Sequence, residues 1–377
     1  MICQKMEVKM KYKIVDLFSG VGGLSYGFSI IPEFQIIAAN EIDKDFAKSY
    51  ILNHPNVKML NMDIKDITTE LLRKEIGEHD VDLVVGGPPC QSYSTLGKRQ
   101  MDDRANLFLE YKRVLSILKP KAFIFENVVG ILSMDKGKLY SSVIQEFESI
   151  GYKIKYKVLN AVDYGVPQFR ERVILVGFLG NNPYEFPKPT HGEQDLIPYV
   201  TLEDAIGDLP VLKSGENSDQ YSYPPNNDFL RYVRNSAILT EHKAPTNGPH
   251  LIEIMETLKD GQSKSDLPEE IRPKSGYGNT YAKLWWKKPA TTITRNFSTP
   301  SSSRCVHPRD SRAMSIREGA RLQSFPDNYI FYGPDGKKRL EIGNAVPPLL
   351  SIAIAKKMLI ALTNPEQFNE DEQLNFL

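Results

Sequence analysis

The chain has 377 residues, and its 47 Lys and Arg balance 47 Asp and Glu, giving a formal net charge of zero. Charged residues at 25% and hydrophobic ones at 41% describe a folded, soluble chain rather than a disordered or fibrous one. No long uncharged apolar span reads as a membrane helix, since the longest C-terminal apolar run carries Lys356 and Lys357. The opening MICQKMEVKMK lacks the apolar core of a secretion signal and reads as a loose tail. Cys3, Cys90 and Cys305 are too scattered for a disulfide framework or a zinc cluster, so a reducing compartment is expected and no metal.

Strand and helix signals alternate through the first half. KIVDLF (13–18), FQIIAANE (34–41), VDLVVGG (81–87) and KAFIFEN (121–127) are short apolar runs, each followed by turn residues and then by sequence able to form a helix. VKMLNM, before Asp63, can supply a further strand. A helix from Asn106 to Leu118 would align Leu107, Phe108, Tyr111, Val114, Leu115 and Leu118 as one stripe against a sheet. Another fits Leu139 to Ile150, stopped by Gly151. YKIKYKVLN and RVILVGF add strands ending near Phe178. The pattern predicts a mostly parallel α/β sheet with helices on both faces.

Composition changes after Gly180, where Pro, Asn and Gly thicken and the alternation disappears; a second, smaller, irregular domain is expected there. Residues 271–321 hold eleven Lys or Arg against only Asp310 and Glu318. Such a segment is either a solvated surface or a wall that faces phosphates, with Lys287, Lys288, Arg295, Arg304 and Arg309 as its candidates. Trp285 and Trp286 read as packing anchors, and Cys305 as structural. Helical periodicity returns in SIREGARLQSF (315–325) and PPLLSIAIAKKMLIAL (347–362), the latter expected to pack back on the first domain. The expected divisions are 11–180 for the first domain, 181–300 for the second, 301–365 for the return to the first domain, and 366–377 as tail.

DLFSGVGGLSYGF (16–28) leads from the first strand into a helix through Gly20, Gly22 and Gly23, which permit a tight turn and close approach of a ligand to the backbone. The spacing is not the strict dinucleotide fingerprint. Glu41, about twenty residues on, can accept from ribose hydroxyls, and Asp63 from an adenine amino group. These residues alone leave S-adenosylmethionine and a dinucleotide both open. In GGPPCQSYS (86–94), Cys90 lies just past a strand end, where doubly wound sheets bind ligands. Glu126 ends another strand, and a buried carboxylate there needs partners or a task. If the two strands are neighbours, sulfur and carboxyl share one crevice.

DLFSGVGG, GGPPCQSYS, ENV, QFRER, REGARLQSFP and GNAVPP, in this order, resemble the sequence blocks of the cytosine-C5 DNA methyltransferases. The resemblance implies a Rossmann-like, S-adenosyl-L-methionine-dependent methyltransferase fold, with 181–290 as its variable target-recognition region. It implies that Cys90 adds as a thiolate to cytosine C6, that Glu126 binds and protonates N3, that Arg172 reaches O2, and that Arg170 lies nearer backbone phosphate. For the cofactor it implies Phe18 against adenine, Glu41 on ribose and Asp63 on the adenine amino group. Gly20, Gly22, Gly23, Ile42, Ile64, Gly87, Pro89, Leu107, Asn344 and Val346 match pocket positions. Ile42 stands where some relatives have an aromatic residue, so aliphatic contact replaces a ring on one face.

The same resemblance implies double-stranded DNA as partner, a target cytosine rotated out of the stack, and QSYSTLGKRQMDDRAN as the lid over it. It also implies a bacterial cytoplasmic or nucleoid-associated modification enzyme, functionally paired with a restriction endonuclease and acting as a monomer on DNA. An RNA cytosine methyltransferase of the same fold is the nearest alternative, with nearly unchanged chemistry. A zinc deaminase would need a closely spaced cysteine pair that the chain lacks, and a dehydrogenase would have no use for Cys90 beside Glu126. A DNA-binding module without turnover is disfavoured because every residue needed for turnover is present.

Overall fold

Short β-branched and aliphatic runs, too apolar to remain at a surface, become the central strands of one sheet buried on both faces. The computed structural model describes residues 11–77, 80–89, 107–274 and 278–363. In chain order the first part contains β1 (Tyr12–Leu17), α1 (Gly23–Ser29), β2 (Phe34–Asn40), α2 (Lys44–Asn53), β3 (Lys58–Leu60), α3 (Thr69–Ile76) and β4 (Leu83–Gly86). Then come α4 (Leu107–Leu118), β5 (Ala122–Val128), α5 (Lys138–Glu148), β6 (Tyr152–Asn160) and β7 (Glu171–Leu179). The seven strands lie in the order β3-β2-β1-β4-β5-β7-β6. β1 to β5 run parallel, whereas β7 is antiparallel to both β5 and β6. The predicted strands and both predicted helices are present, with α5 ending two residues early and Gly151 taking the left-handed φ of 94° that a helix stop favours.

The strand order reverses between β1 and β4, which leaves a crevice beyond their C-terminal ends. One face of the sheet packs Ile14, Val85, Ile124 and Val176 against Leu24 and Phe28 of α1. The other packs Val84, Phe123 and Leu175 against Leu72 of α3, Tyr111 of α4 and Phe147 of α5. Helices therefore cover both faces, as the alternating pattern requires.

The second part holds α6 (Leu202–Ile206), α7 (Asp228–Val233), α8 (Pro249–Thr257), a two-stranded pair of β8 (Ala282–Lys283) and β9 (Arg304–Val306), and α9 (Ile316–Leu322). α10 (Asp335–Asn344) and α11 (Pro348–Thr363) follow. Leu202, Phe229, Leu230, Leu284, Ile293, Phe297, Ile316, Ala320, Phe325 and Ile342 share one core, so residues on both sides of position 300 pack together. α11 returns to the sheet, as its apolar stripe predicts: Leu350, Ile354, Ala355 and Met358 join the core beside α1. By length and composition residues 335–363, which hold α10 and α11, contain an apolar stretch long enough to cross a membrane, and half of that stretch is buried within the fold.

The basic segment divides in a way that its charge count conceals. Arg312, Arg317 and Arg321 are fully buried, not a phosphate-facing wall. Arg312 donates to both oxygens of Glu318 at 2.8 and 2.7 Å and to Asp310 at 2.8 Å. Arg321 pairs with Asp327 at 2.7 Å and with Asp208, and Arg317 lies 3.7 Å from Asp327. Burial alone would raise the Glu318 carboxyl, but Arg312 outweighs it and holds the group well below the usual carboxylate range. Ser315 and Glu318 also form a capping box that starts α9. These arginines knit the second core; their charge is spent on buried carboxylates.

Candidate active site

β5 and β7 place the central pair. In their antiparallel register Glu126 lies opposite Ile174 and Val128 opposite Arg172, so Glu126 and Arg172 are diagonal neighbours on one face. Arg172 Nε donates to Glu126 Oε1 at 2.8 Å, with both side chains close to nine-tenths buried. β7 is interior to the sheet, so this is not an ion pair on an edge strand. Burial raises the Glu126 carboxyl above its ordinary value, while Arg172 and then Arg170 pull it down. The outcome is a carboxyl able to hold a proton next to a fixed cation.

Gly87 follows β4 and approaches that carboxyl closely: a Cβ there would come within 2.7 Å of Glu126 Oε2. Glycine is therefore required by space. Asn127 donates from Nδ2 to the Pro88 carbonyl at 3.0 Å, tying the paired prolines to β5. The sequence reading passed over Asn127, although its place between Glu126 and Val128 was the available signal. Cys90 and the expected lid of residues 91–106 lie outside the described residues.

Arg170 requires a correction. It is not near the surface where phosphate would pass; it is 1% exposed, and among the described residues its side chain donates to carbonyls, those of Ile293 at 2.9 Å, Gly343 at 2.8 Å and Ala345 at 2.9 Å. Its neighbour Gln168 is buried too, donating to Leu322 O at 2.5 Å and accepting from Ile293 N at 2.9 Å. Arg172 alone of the two arginines reaches the crevice. It also borders an open cleft of about 390 Å³ together with Val129, Asn160, Phe169, Glu171 and Thr292.

The cofactor candidates gather at the C-terminal ends of β1, β2 and β3. Phe18 has a φ of 56° and Gly20 one of 55°, the left-handed turn that opens the loop toward α1. Glu41 closes this turn, accepting from Gly20 N at 2.9 Å through Oε2 and from Asp43 N at 2.9 Å through Oε1. Burial raises its carboxyl, and those two N–H donors oppose the rise. Asp63 is half-buried and caps the turn of Ile64–Asp66 through Lys65 N at 3.0 Å. Ile64 is buried beneath it, Leu107 is half-buried at the start of α4, and Ile42 is 64% exposed. Pro89 is exposed at the end of the described loop. Gly22 sits against His54, and Gly23 against Val346, whose carbonyl would lie 2.3 Å from a Cβ built on Gly23. Asn344, at the end of α10, is exposed.

Two observations show that this turn suits a ligand. A Cβ built on Gly20 meets nothing within 4 Å among the described residues. Among the described residues Ser19 Oγ is buried there without a hydrogen-bond partner, which is costly unless something bound satisfies it. Ser19 was not singled out from the sequence, since serine in a glycine turn carries no distinctive signal.

Of the basic candidates named from sequence, Lys287, Lys288, Arg295 and Arg309 are exposed. Arg309 stacks over Trp286 at 3.9 Å. Arg304 is half-buried, stacked 4.1 Å over Trp285 and bonded to the Gly261 carbonyl at 2.8 Å, so it belongs to the framework. Trp286 is buried as a packing anchor and Trp285 half-buried. Cys305 is buried and unpaired, with its thiol pushed up to about 12 by burial.

A family model of C-5 cytosine-specific DNA methylases matches residues 12–359. The chain belongs to that family. Its activity is S-adenosylmethionine-dependent methylation of DNA cytosine at C5. Type II methyltransferase M1.HphI of Haemophilus parahaemolyticus is 36% identical over 359 residues, covering 94% of this chain and 88% of that one. Type II methyltransferase M.DdeI of Desulfomicrobium norvegicum is 36% identical over 392 residues, covering 95% and 91%. Among solved structures, a prophage-encoded chain from E. coli described as a DNA modification methyltransferase superposes with a TM-score of 0.75 at 24% identity, covering 93% and 99%. That likeness supports the Rossmann-like methyltransferase fold with its separate smaller domain.

Proposed function

We propose that this DNA cytosine-C5 methyltransferase acts on one cytosine within a specific double-stranded sequence, through a covalent bond from Cys90 to C6. The observation that carries this reading is the buried Glu126–Arg172 pair, a carboxyl raised by burial and anchored by a guanidinium 2.8 Å away. Cytosine C5 is a weak nucleophile, so the ring needs activation. Cys90 adds to C6 while Glu126 gives its proton to N3, which neutralises the charge that would build up on the ring. Arg172 orients Glu126 and donates to O2. Asn127, through Pro88, braces the loop that leads to Cys90. Phe18, Ser19, Gly20, Glu41 and Asp63 would hold S-adenosylmethionine, which when bound supplies the electrophilic methyl group. Once C5 carries the methyl group, a base takes the C5 proton, N3 returns its proton to Glu126, and the C6–S bond breaks to release the Cys90 thiolate, which restores the aromatic ring.

Exposed Lys287, Lys288, Arg295 and Arg309 suit backbone phosphate, and residues 181–300 supply the base-reading groups. A bacterial cytoplasmic enzyme, monomeric on DNA and paired with a restriction endonuclease, fits its likeness to Type II methyltransferases. The test is to treat unmethylated genomic DNA, and separately transfer RNA, with labelled S-adenosylmethionine and map methylcytosine at base resolution. One recurring DNA sequence is expected; modification confined to RNA would overturn the reading. Cys90→Ser is expected to abolish turnover while cofactor and DNA still bind. Turnover near wild type would remove the covalent step.

A further inference from the structure

Arg170 is one of the largest fully buried side chains, yet among the described residues it has no carboxylate at hydrogen-bond distance. Its guanidinium instead gathers three carbonyls from two distant segments. Two of them, Gly343 and Ala345, flank Asn344 where α10 ends, a helix C-terminus whose orphan carbonyls favour a cation. The third is Ile293, whose N–H is held by Gln168 Oε1 at 2.9 Å. Gln323 adds a bond of 2.7 Å to the neighbouring Ile342 carbonyl. The Arg170 backbone is pinned as well, its N–H to Asn160 Oδ1 at 2.9 Å and its carbonyl accepting from Ala161 N at 2.9 Å.

The short connection from α10 to α11 then runs directly under the glycine turn. Val346 O occupies the space where a side chain on Gly23 would be, and Gly343 would meet the Arg295 backbone within 2.3 Å if it carried a Cβ. Residues 343–346 are thus wedged between the glycine turn and the segment at 293–295. Arg172, which holds Glu126, is two residues beyond Arg170 on the same stretch.

We propose that Arg170 is a positioning residue that sets the cofactor pocket against the catalytic strand, by fixing residues 343–346 beneath the Gly20–Gly23 turn. This rests on the reading of that turn as the S-adenosylmethionine site. Lysine at this position keeps the charge but loses the planar fork that reaches three acceptors.

Two measurements test it. In Arg170→Lys the dissociation constant for S-adenosylhomocysteine, measured by calorimetry without DNA, should rise at least about tenfold, equivalent to about 1.4 kcal/mol. KM for S-adenosylmethionine should rise by a larger factor than kcat falls. A folded variant with unchanged cofactor affinity, its loss confined to kcat or DNA binding, would overturn the proposal. Should Arg170→Lys fail to fold, hydrogen exchange on the wild-type protein decides. Adding S-adenosylhomocysteine should protect amides at 342–346 and 293–295 together with those at 18–23. Protection at 18–23 without 342–346 overturns the role of Arg170, and no protection at 18–23 overturns the pocket reading beneath it.

Discussion

Replacing Glu126 by Gln removes one proton while retaining side-chain volume and the ability to accept from Arg172. The carboxyl is buried with Oε1 2.8 Å from Arg172 Nε and Oε2 beside Gly87, so the amide has little room to reorient. A positioned acid contributes roughly 10²–10⁴ in rate, so kcat should fall by that factor, about 3–5 kcal/mol of barrier. Burial raises this carboxyl and Gln still accepts from Arg172, so the variant should remain folded, which a melting curve checks. The wild-type rate should also decline as pH rises and Glu126 loses its proton, whereas the variant should lack that limb. The assay is transfer of labelled methyl from S-adenosylmethionine to unmethylated DNA under saturating conditions, across a pH series. Turnover within about threefold of wild type, with the alkaline limb intact, would refute the assignment of Glu126 as the acid.

Gly87→Ala places a methyl 2.7 Å from Glu126 Oε2, so the carboxyl must shift, and kcat should drop roughly 100-fold in the same methyl-transfer assay. Glu318→Ala leaves the buried Arg312 with Asp310 in place of two carboxylate partners and should cost about 3–5 kcal/mol in urea unfolding. Because the folded Glu318 carboxyl lies far below its ordinary 4.5, its contribution is present above that pH and lost as pH falls; the variant should show a weaker acid-side loss. Asp16 behaves oppositely. Burial raises it to about 7, the Ser25 hydroxyl at 2.5 Å notwithstanding, so the folded state holds its proton more tightly than the unfolded one. Stability should therefore decline as pH rises from about 4 to about 7, and Asp16→Asn should flatten that slope in urea melts at intermediate pH values.

The elements legible in the sequence were those whose signals are local. Aliphatic runs bounded by glycine and proline became β1, β2, β4 and β5 because a chain of that composition has to bury both faces. The turn at Gly20–Gly23 was legible because left-handed backbone admits few residue types, and Glu41 because its distance from that turn is a property of one strand–helix–strand unit. Roles for Cys90 and Glu126 could be proposed only once the ordered blocks around them were taken together.

What could not be read were contacts made by pairing between distant segments. Arg170 and Arg172 alternate in one short stretch, and nothing local says that the first reaches the end of α10 while the second meets Glu126. The antiparallel placement of β7 between β5 and β6 decides that. The eleven cations of 271–321 counted alike in the sequence, yet Arg312, Arg317 and Arg321 lie buried against carboxylates while Lys287, Lys288 and Arg309 face outward. The sequence by itself determined the sheet's strands and the glycine turn, since composition and spacing suffice for these, whereas roles for the reacting groups were implied only by the resemblance of its ordered blocks to a known family. Only the tertiary structure decided which charges are buried and which side chains share the crevice, because burial and partnership depend on chain segments that meet only after folding.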